Sequence, residues 1–510
     1  MLGRIGIVPA GRALIVLSLA LTGLAAPSRA EAGAPPGGVA APETVPECRW
    51  DGATLLVDQP CAFRLARRNS FEILDQETYL VGSVRRQAVA EHDFAVRMSP
   101  TFSSVSVGNP NTSPLQSPGA TTEPPSTSLY RSGLRFSKLF GIGTNIAVEP
   151  FYEWGSGNRV SGLLVGLTQP LLRGVAPVYV ESGLDAATSQ TKTAGFSQVQ
   201  SCLATLLGVV DQLATLGELQ ERHRLYSEAL LSMETKLTIT EARERAGLAT
   251  SLDVLRTKIE RTNLRDLVAS ASEQLGDAAD RLRFTLRLPP GLPVRGVLGP
   301  EDAPKSAGPD PEISGRYDVR ISAEGLSEAR RQVRVARHAI LPDLNATFSM
   351  SLQGGKTDYS LPSLPTWTLS FSSSGELGRT AERAAYQDAL DRVEIAARAL
   401  VQTQERARDE VRSLGRQLER LRKQEAIQRE QIEQAASKLA IAEAKFRNGL
   451  ASNFDFLEAE TELRNAQVAF LAAQRDLVPA ANRLLNGTGQ YEDWLKRTYA
   501  VDCSPSTASR

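Results

Sequence analysis

Residues 241–260 read EARERAGLATSLDVLRTKIE and residues 443–462 read EAKFRNGLASNFDFLEAETE; they align without gaps and agree at nine of twenty positions. Gly247 matches Gly449, Asp253 matches Asp455, and Leu255 matches Leu457. Upstream of each stretch lies a weaker match. Ala90, His92 and Thr101-Phe102-Ser103 correspond to Ala336, His338 and Thr347-Phe348-Ser349. Self-similarity of this kind marks a duplicated unit. The offsets are 202 and 246, so the first copy carries 44 additional residues between its first strand and its long helix. The chain therefore divides into a signal peptide (1–30), an N-terminal segment (31–62), a first repeat (63–288) with an insertion at 104–160, a Pro/Gly-rich linker (289–313), a second repeat (314–489) and a tail (490–510).

Each copy reads as helix, strands, long helix and return helix. Between Ile340 and Leu352 the even positions are mostly apolar, while Asp343, Asn345, Thr347, Ser349 and Ser351 fill odd ones. Period-two alternation is that of a strand with one apolar face. Trp367, Leu369 and Phe371 continue it, and Phe94, Val96, Met98 and Phe102, then Leu163, Val165 and Leu167, supply the strands of the first copy. Within the insertion, a Pro/Ser/Thr-rich loop (108–129) precedes an alternating stretch from Leu134 to Tyr152, read as additional β structure. Helical seams follow. Leu390, Val411, Leu418, Ile432 and Phe446 share one seven-residue lane, and Val393, Leu400, Leu414 and Leu421 share another, the pattern of a coiled-coil face. Over about 376–447 such a helix would be ~108 Å long, and a return helix over 450–485 only ~54 Å. Helices at roughly 63–91 and 314–338, stacked end to end on the return helices, would supply the difference.

Composition narrows the function. The 58 basic and 58 acidic residues balance, which argues against a nucleic-acid partner. His92, His223 and His338 are scattered singly, and His223 falls on a helical seam. No paired carboxylates, nucleophile with base, phosphate loop or metal spacing emerges, so no enzyme, cofactor or metal is expected. Arg4, Arg12, the apolar stretch 13–26 and Ser28-Arg29-Ala30 read as an export signal, and beyond it no long apolar run suggests a membrane helix. Export permits disulfides. Cys48 could pair with Cys61, with Cys503 as a competing partner, whereas Cys202 in an apolar lane reads as a buried free thiol. In lipid, an exported strand set with one apolar face satisfies its backbone only in a closed barrel, and barrels start at about eight strands. Two or three strand pairs per chain must then oligomerise. Phe151, Tyr152, Trp154 and Trp367 near strand ends would suit an interfacial aromatic girdle.

These residues resemble the TolC-like outer-membrane efflux proteins from about 63 to 489. The resemblance rests on the duplication, on the junction LTQPLLRG (167–174), on the passage ARHAILPDL (336–344), and on GLATSLDVL (247–255) and GLASNFDFL (449–457). It implies a mainly α fold with a β-barrel portion: long periplasmic coiled-coil helices, and strand pairs that close a transmembrane barrel only as a homotrimer. Four strands per subunit, a periplasmic adaptor (membrane fusion protein), an inner-membrane pump and contact with outer-membrane lipid are implied likewise. Gln169, Pro170 and Gly174 would form the strand-to-helix junction. The alternative is a periplasmic coiled-coil scaffold or adaptor that never enters lipid.

Gly247 and Gly449 would end the outgoing helices, since glycine is favoured just past a helix end. Asp455 and Glu458, three apart, share a face of the return helix. The resemblance implies that this pair lines a narrow acidic pore entrance, with Asp253 and Arg256 as the first-copy counterparts. Thr250-x-x-Asp253 and Ser452-x-x-Asp455 also fit a helix-starting capping pattern, which would make both aspartates local caps. Phe446 and Ala451 depart from the tyrosine and arginine with which some relatives latch the tip.

Overall fold

The computed structural model describes residues 48–107, 127–155, 158–297, 313–353, 365–375, 378–448, 450 and 452–504. The signal-peptide reading, most of the 108–129 loop, much of the linker, Gly449 and Ala451 lie outside the described residues.

Four lines of helix pack side by side. The outgoing helices are α3 (Ser182–Arg245) and α6 (Thr380–Arg447), 64 and 68 residues, or ~96 and ~102 Å at 1.5 Å per residue. The return helices, α4 (Ser251–Leu286) and α7 (Asn453–Gly487), have 36 and 35 residues. The shortfall is filled by α2 (Phe71–His92) and α5 (Tyr317–Ala339), which lead into the strands. Each joint is tied by side chains. Asn69 donates to the Leu286 carbonyl at 3.3 Å and the Phe71 ring lies against Phe284, with the Arg287 guanidinium over it. In the second copy Arg316 donates to the Gly487 carbonyl at 3.0 Å. From one side to the other the order is α2 with α4, then α3, then α5 with α7, then α6.

The seam residues of α6 become its buried side. Val411, Leu418, Leu421, Ala435 and Ala442 are buried, and Leu418 and Leu421 pack on Ala480 and Ala481 of α7. Ile395, Val401 and Ile427, off those lanes, are more than half exposed. These side chains are left uncovered within one chain. The α3 helix is long and apolar enough by composition to cross a membrane, but half of that apolar window is buried by protein.

The helix expected at 63–91 is broken at Ser70. Asp58 caps Cys61 N–H at 2.9 Å and starts α1 (Gln59–Asn69), and Ser70 then adopts an extended backbone before α2. Anchoring comes from a small sheet in which β2 (Thr54–Asp58) pairs antiparallel with β1 (Arg49–Asp51) and parallel with β7 (Val294–Val297). Strand β7 falls in residues read as linker. It lies so close to α3 that a Cβ on Gly296 would sit 3.3 Å from Leu213 and Leu216. Leu206, Leu213 and Leu216 are wholly buried there, each contributing about 1.5–3 kcal/mol relative to exposure.

The cysteine reading is corrected at Cys202. Cys48 bonds Cys61, and Cys202 bonds Cys503 rather than remaining a thiol. The tail folds back to make this possible: after α8 (Tyr491–Tyr499), Val501 and Cys503 are buried, with Tyr491 and Leu495 wholly so. An apolar helical lane cannot distinguish a buried thiol from a buried disulfide when its partner lies 301 residues away.

Among the described residues the large sheet has six strands, not the four implied by the family resemblance. Its order is β3 (Arg97–Val107), β4 (Thr127–Leu139), β5 (Asn145–Gly155), β6 (Asn158–Pro170), β8 (Asp343–Gln353) and β9 (Thr366–Ser374), and all neighbours are antiparallel. The additional residues of the first copy supply β4 and β5, so the alternation from Leu134 to Tyr152 is two strands joined by a turn at 140–144. Strands β3 and β9 are its edges.

Candidate functional site

Register sorts the sheet into two faces. Phe102, Leu134, Val148, Leu163, Phe348 and Leu369 belong to one, in line with the even–odd alternation of their strands. Thr101, Arg135, Glu149, Gly162, Ser349 and Thr368 belong to the other. On the apolar face, Trp154 gathers Phe102, Tyr130 and Tyr152 around it, with centroid distances of 6.5, 5.8 and 5.8 Å. Phe151 departs from the expected girdle because its odd position turns it to the polar face. There it lies against Gly162, where an added Cβ would come within 2.6 Å of the ring, and Arg131 sits 3.7 Å above its centroid. Glu149, only 5% exposed, accepts from Arg135 at 2.9 Å and Thr101 at 3.1 Å. An ion pair held on the polar face of an otherwise apolar-sided sheet belongs against water, not lipid.

Where strands pass into helices, the junction residues form ties. Gln169 donates to Pro170 and Ile142 carbonyls at 2.8 and 3.3 Å and accepts from Thr144, binding the 140–144 turn to the end of β6. Gly174 has φ +87°, and its carbonyl would lie 2.1 Å from a Cβ on Gly143. Arg173 bridges Tyr179 at 2.9 Å and Asp343 of β8 at 3.3 Å. At the other junction Arg379, nearly buried and itself left-handed at φ +47°, donates to the Ala339 and Leu341 carbonyls at 3.3 and 2.8 Å. Arg379 carries no sequence pattern of its own; its importance depends on the approach of α5, β8 and α6.

At the opposite helix ends, Gly247 turns the chain with φ +74°, and Leu248 N–H reaches back to the Arg243 carbonyl at 2.8 Å. Both aspartates are caps. Thr250 and Asp253 exchange hydrogen bonds at 3.1 and 3.3 Å, and Ser452 and Asp455 at 2.9 and 3.2 Å, each a complete capping box. The Thr250 and Ser452 hydroxyl bonds hold the two carboxyls below the usual aspartate range. A depressed carboxyl stabilises the folded state above its ordinary pKa and loses that contribution as pH falls through the lowered value, so both caps are ionised at neutral pH.

Capping does not withdraw these groups from the surface. Asp455 and Glu458 line one groove between α6 and α7, together with Lys438, Lys445 and Leu450. Glu458 also faces a second groove, between α4 and α7, shared with Arg256 and Phe454; the Arg256 guanidinium lies 5.1 Å from that ring. The tips of the two copies are joined by Asn453 donating to Thr257 at 3.2 Å and by the Arg464–Glu260 pair at 2.7 Å. Phe446 stacks on Phe456 at 5.6 Å, with Arg243 over Phe446 and Lys236 over Phe456. That aromatic–cation stack was not legible in the sequence, because its four members come from three helices. Exposed leucines complete the tip: Leu248 and Leu450 are each 78% exposed. Among the described residues no group of three His, Cys, Asp or Glu side chains is placed to hold a metal.

Known proteins resemble this chain in sequence and fold. Residues 311–490 match the family described as outer membrane efflux protein. The pyoverdine export outer membrane protein OpmQ of Pseudomonas aeruginosa is 25% identical over 303 residues, which cover 56% of this chain and 61% of OpmQ. Among solved structures, VceC of Vibrio cholerae superposes with a TM-score of 0.64 at 16% identity, covering 84% of this chain and 96% of its own. The CmeC outer membrane channel of Campylobacter jejuni gives 0.67 at 16% identity, covering 85% and 86%. The fold is that of these outer-membrane channels.

Proposed function

With residues 311–490 carrying the outer membrane efflux protein domain, we propose that the chain is the outer-membrane exit duct of an efflux or type I secretion system. The protein works passively, and a periplasmic adaptor and an inner-membrane pump deliver its cargo. Its sheet sits in the outer membrane, its helices cross the periplasm, and three copies surround one channel. The observation that carries this is the six-stranded sheet with one apolar face and, among the described residues, both edges unpaired, continuous with helices of ~100 Å. A sheet of this kind is stable in lipid only when copies close it, because unpaired backbone groups there cost several kcal/mol each. Two-sided amphipathicity supports a water-filled interior. The family match and the export role printed for OpmQ support the direction of transport.

The acidic tip is the proposed entrance. Isolated exposed carboxylates hold cations poorly, since salt screens charges over about 8 Å. Around a threefold axis, Asp455 and Glu458 of every subunit would concentrate negative charge, partly offset by Arg256. Purified protein in planar bilayers should therefore be cation-selective and blocked by multivalent cations. Asp455→Asn with Glu458→Gln should weaken both properties while leaving trimers intact. Because Asp455 is also a cap, Asp455→Asn alone should lower stability modestly, and Glu458→Gln alone should change conductance without that loss. Unaltered selectivity and block in the double variant would remove the tip carboxylates from the mechanism.

A further inference from the structure

We infer that three copies close a barrel of eighteen strands, the β3 edge of each chain pairing with the β9 edge of the next. The inference rests on the outer-membrane reading above and concerns the width and the seam of that barrel, which the reading leaves open.

Strand order follows helix order. Helix α2 leads into β3, β6 leads into α3, α5 leads into β8, and β9 leads into α6. Four strands thus continue four lines of helix, and β4 and β5 are interposed between β3 and β6. They are full members of the wall. Pairing runs without interruption from Arg97↔Ser137 to Val107↔Thr127 on one side of the hairpin, and from Asn145↔Thr168 to Gly155↔Asn158 on the other. Their faces also agree with those of their neighbours: Leu134 and Val148 point with the apolar side, Arg135 and Glu149 with the polar side. A hairpin hanging outside the barrel would not need that alternation, and its removal would require β3 to exchange β4 for β6.

Width gives an independent argument. At ~4.8 Å between strands and a tilt of about 40°, six strands occupy about 38 Å of circumference. Four helices at about 8–10 Å between axes occupy about 32–40 Å. Four strands would occupy only about 25 Å and draw the barrel in above the helices. The inserted hairpin therefore brings the sheet to the width of the helical wall, and the channel enters the membrane without narrowing at the junction.

The two edges are suited to each other. Strand β3 leads away from a helix and β9 leads toward one, so neighbouring copies present them antiparallel; they have 11 and 9 residues. Met98 and Phe102 on one, and Trp367 and Phe371 on the other, are about two-thirds exposed in the single chain, as expected of residues awaiting a neighbour and lipid. A second copy is the occupant that satisfies both edges at once.

Single-particle imaging of the full-length protein in lipid nanodiscs tests this by counting strands. Eighteen strands, with β3–β9 pairing at three seams, is the expected result. Twelve strands in the wall, with residues 127–155 outside it, would overturn the inference and leave the duct reading standing. A protein that does not enter nanodiscs would overturn the duct reading instead, and the inference with it.

Discussion

An arginine at Phe348 should abolish assembly in the outer membrane, whereas an arginine at the adjacent Ser349 should not. Phe348 stands mid-strand on the apolar face, between Leu167 of β6 and Leu369 of β9. On the lipid side of a barrel an arginine at the membrane midplane costs about 2–4 kcal/mol. Closing three copies multiplies that to about 6–12 kcal/mol per channel, enough to offset most of the stability of an ordinary fold. Ser349 lies on the polar face opposite Gly166, where open space surrounds the missing side chain. Its arginine can reach water. Immunoblots of washed outer membranes at matched expression should show Phe348→Arg lost and Ser349→Arg retained. Equal retention of both would mean that the Phe348 face does not meet lipid.

The second large effect is expected from the bond between Cys202 and Cys503. Removing it as Cys202→Ala with Cys503→Ala should lower the thermal midpoint of the detergent-solubilised protein well below that of Cys48→Ala with Cys61→Ala. Closing a loop restricts the unfolded chain, and a bond of this kind commonly contributes about 2–5 kcal/mol. Sequence separations of 301 and 13 residues differ in closure entropy by about 3 kcal/mol in the chain-entropy account. Tyr491 and Leu495, wholly buried, would also lose the covalent tether that keeps the tail folded on α3. Midpoints that fall equally for the two pairs would show that loop length does not govern the stabilisation.

What could be read from residue order alone follows from how local each cause is. The duplicated tips were legible because Gly247, Thr250 and Asp253 recur as a unit, and the cap they build uses neighbours three residues apart. The long helices were legible from seven-residue lanes whose members Val411, Leu418 and Leu421 are indeed buried. The end-to-end joints followed from length arithmetic, and Asn69 with Leu286 and Arg316 with Gly487 now supply their contacts. Non-local features escaped. The alternation of 134–152 indicated β structure, but pairing partners decide how many strands it makes, and those partners lie in β3 and β6. Phe151 leaves the expected girdle because parity along β5, not aromatic identity, decides which face a residue takes. The disulfide of Cys202 has no local signal, because its partner Cys503 is in a tail whose return path has no periodic pattern. At the candidate entrance, Asp455 and Glu458 share a groove as their spacing indicates, while the Phe446–Phe456 stack depends on the meeting of two separate helices.

Fractionation of cells expressing the full chain tests the central claim most directly. Membranes are washed with urea or alkaline carbonate, and the retained material is run on gels with and without heating. An outer-membrane duct should remain in the pellet and migrate as a heat-sensitive oligomer, because its backbone is satisfied only inside a closed barrel. Release of the protein into the wash as a heat-insensitive single chain would contradict the account.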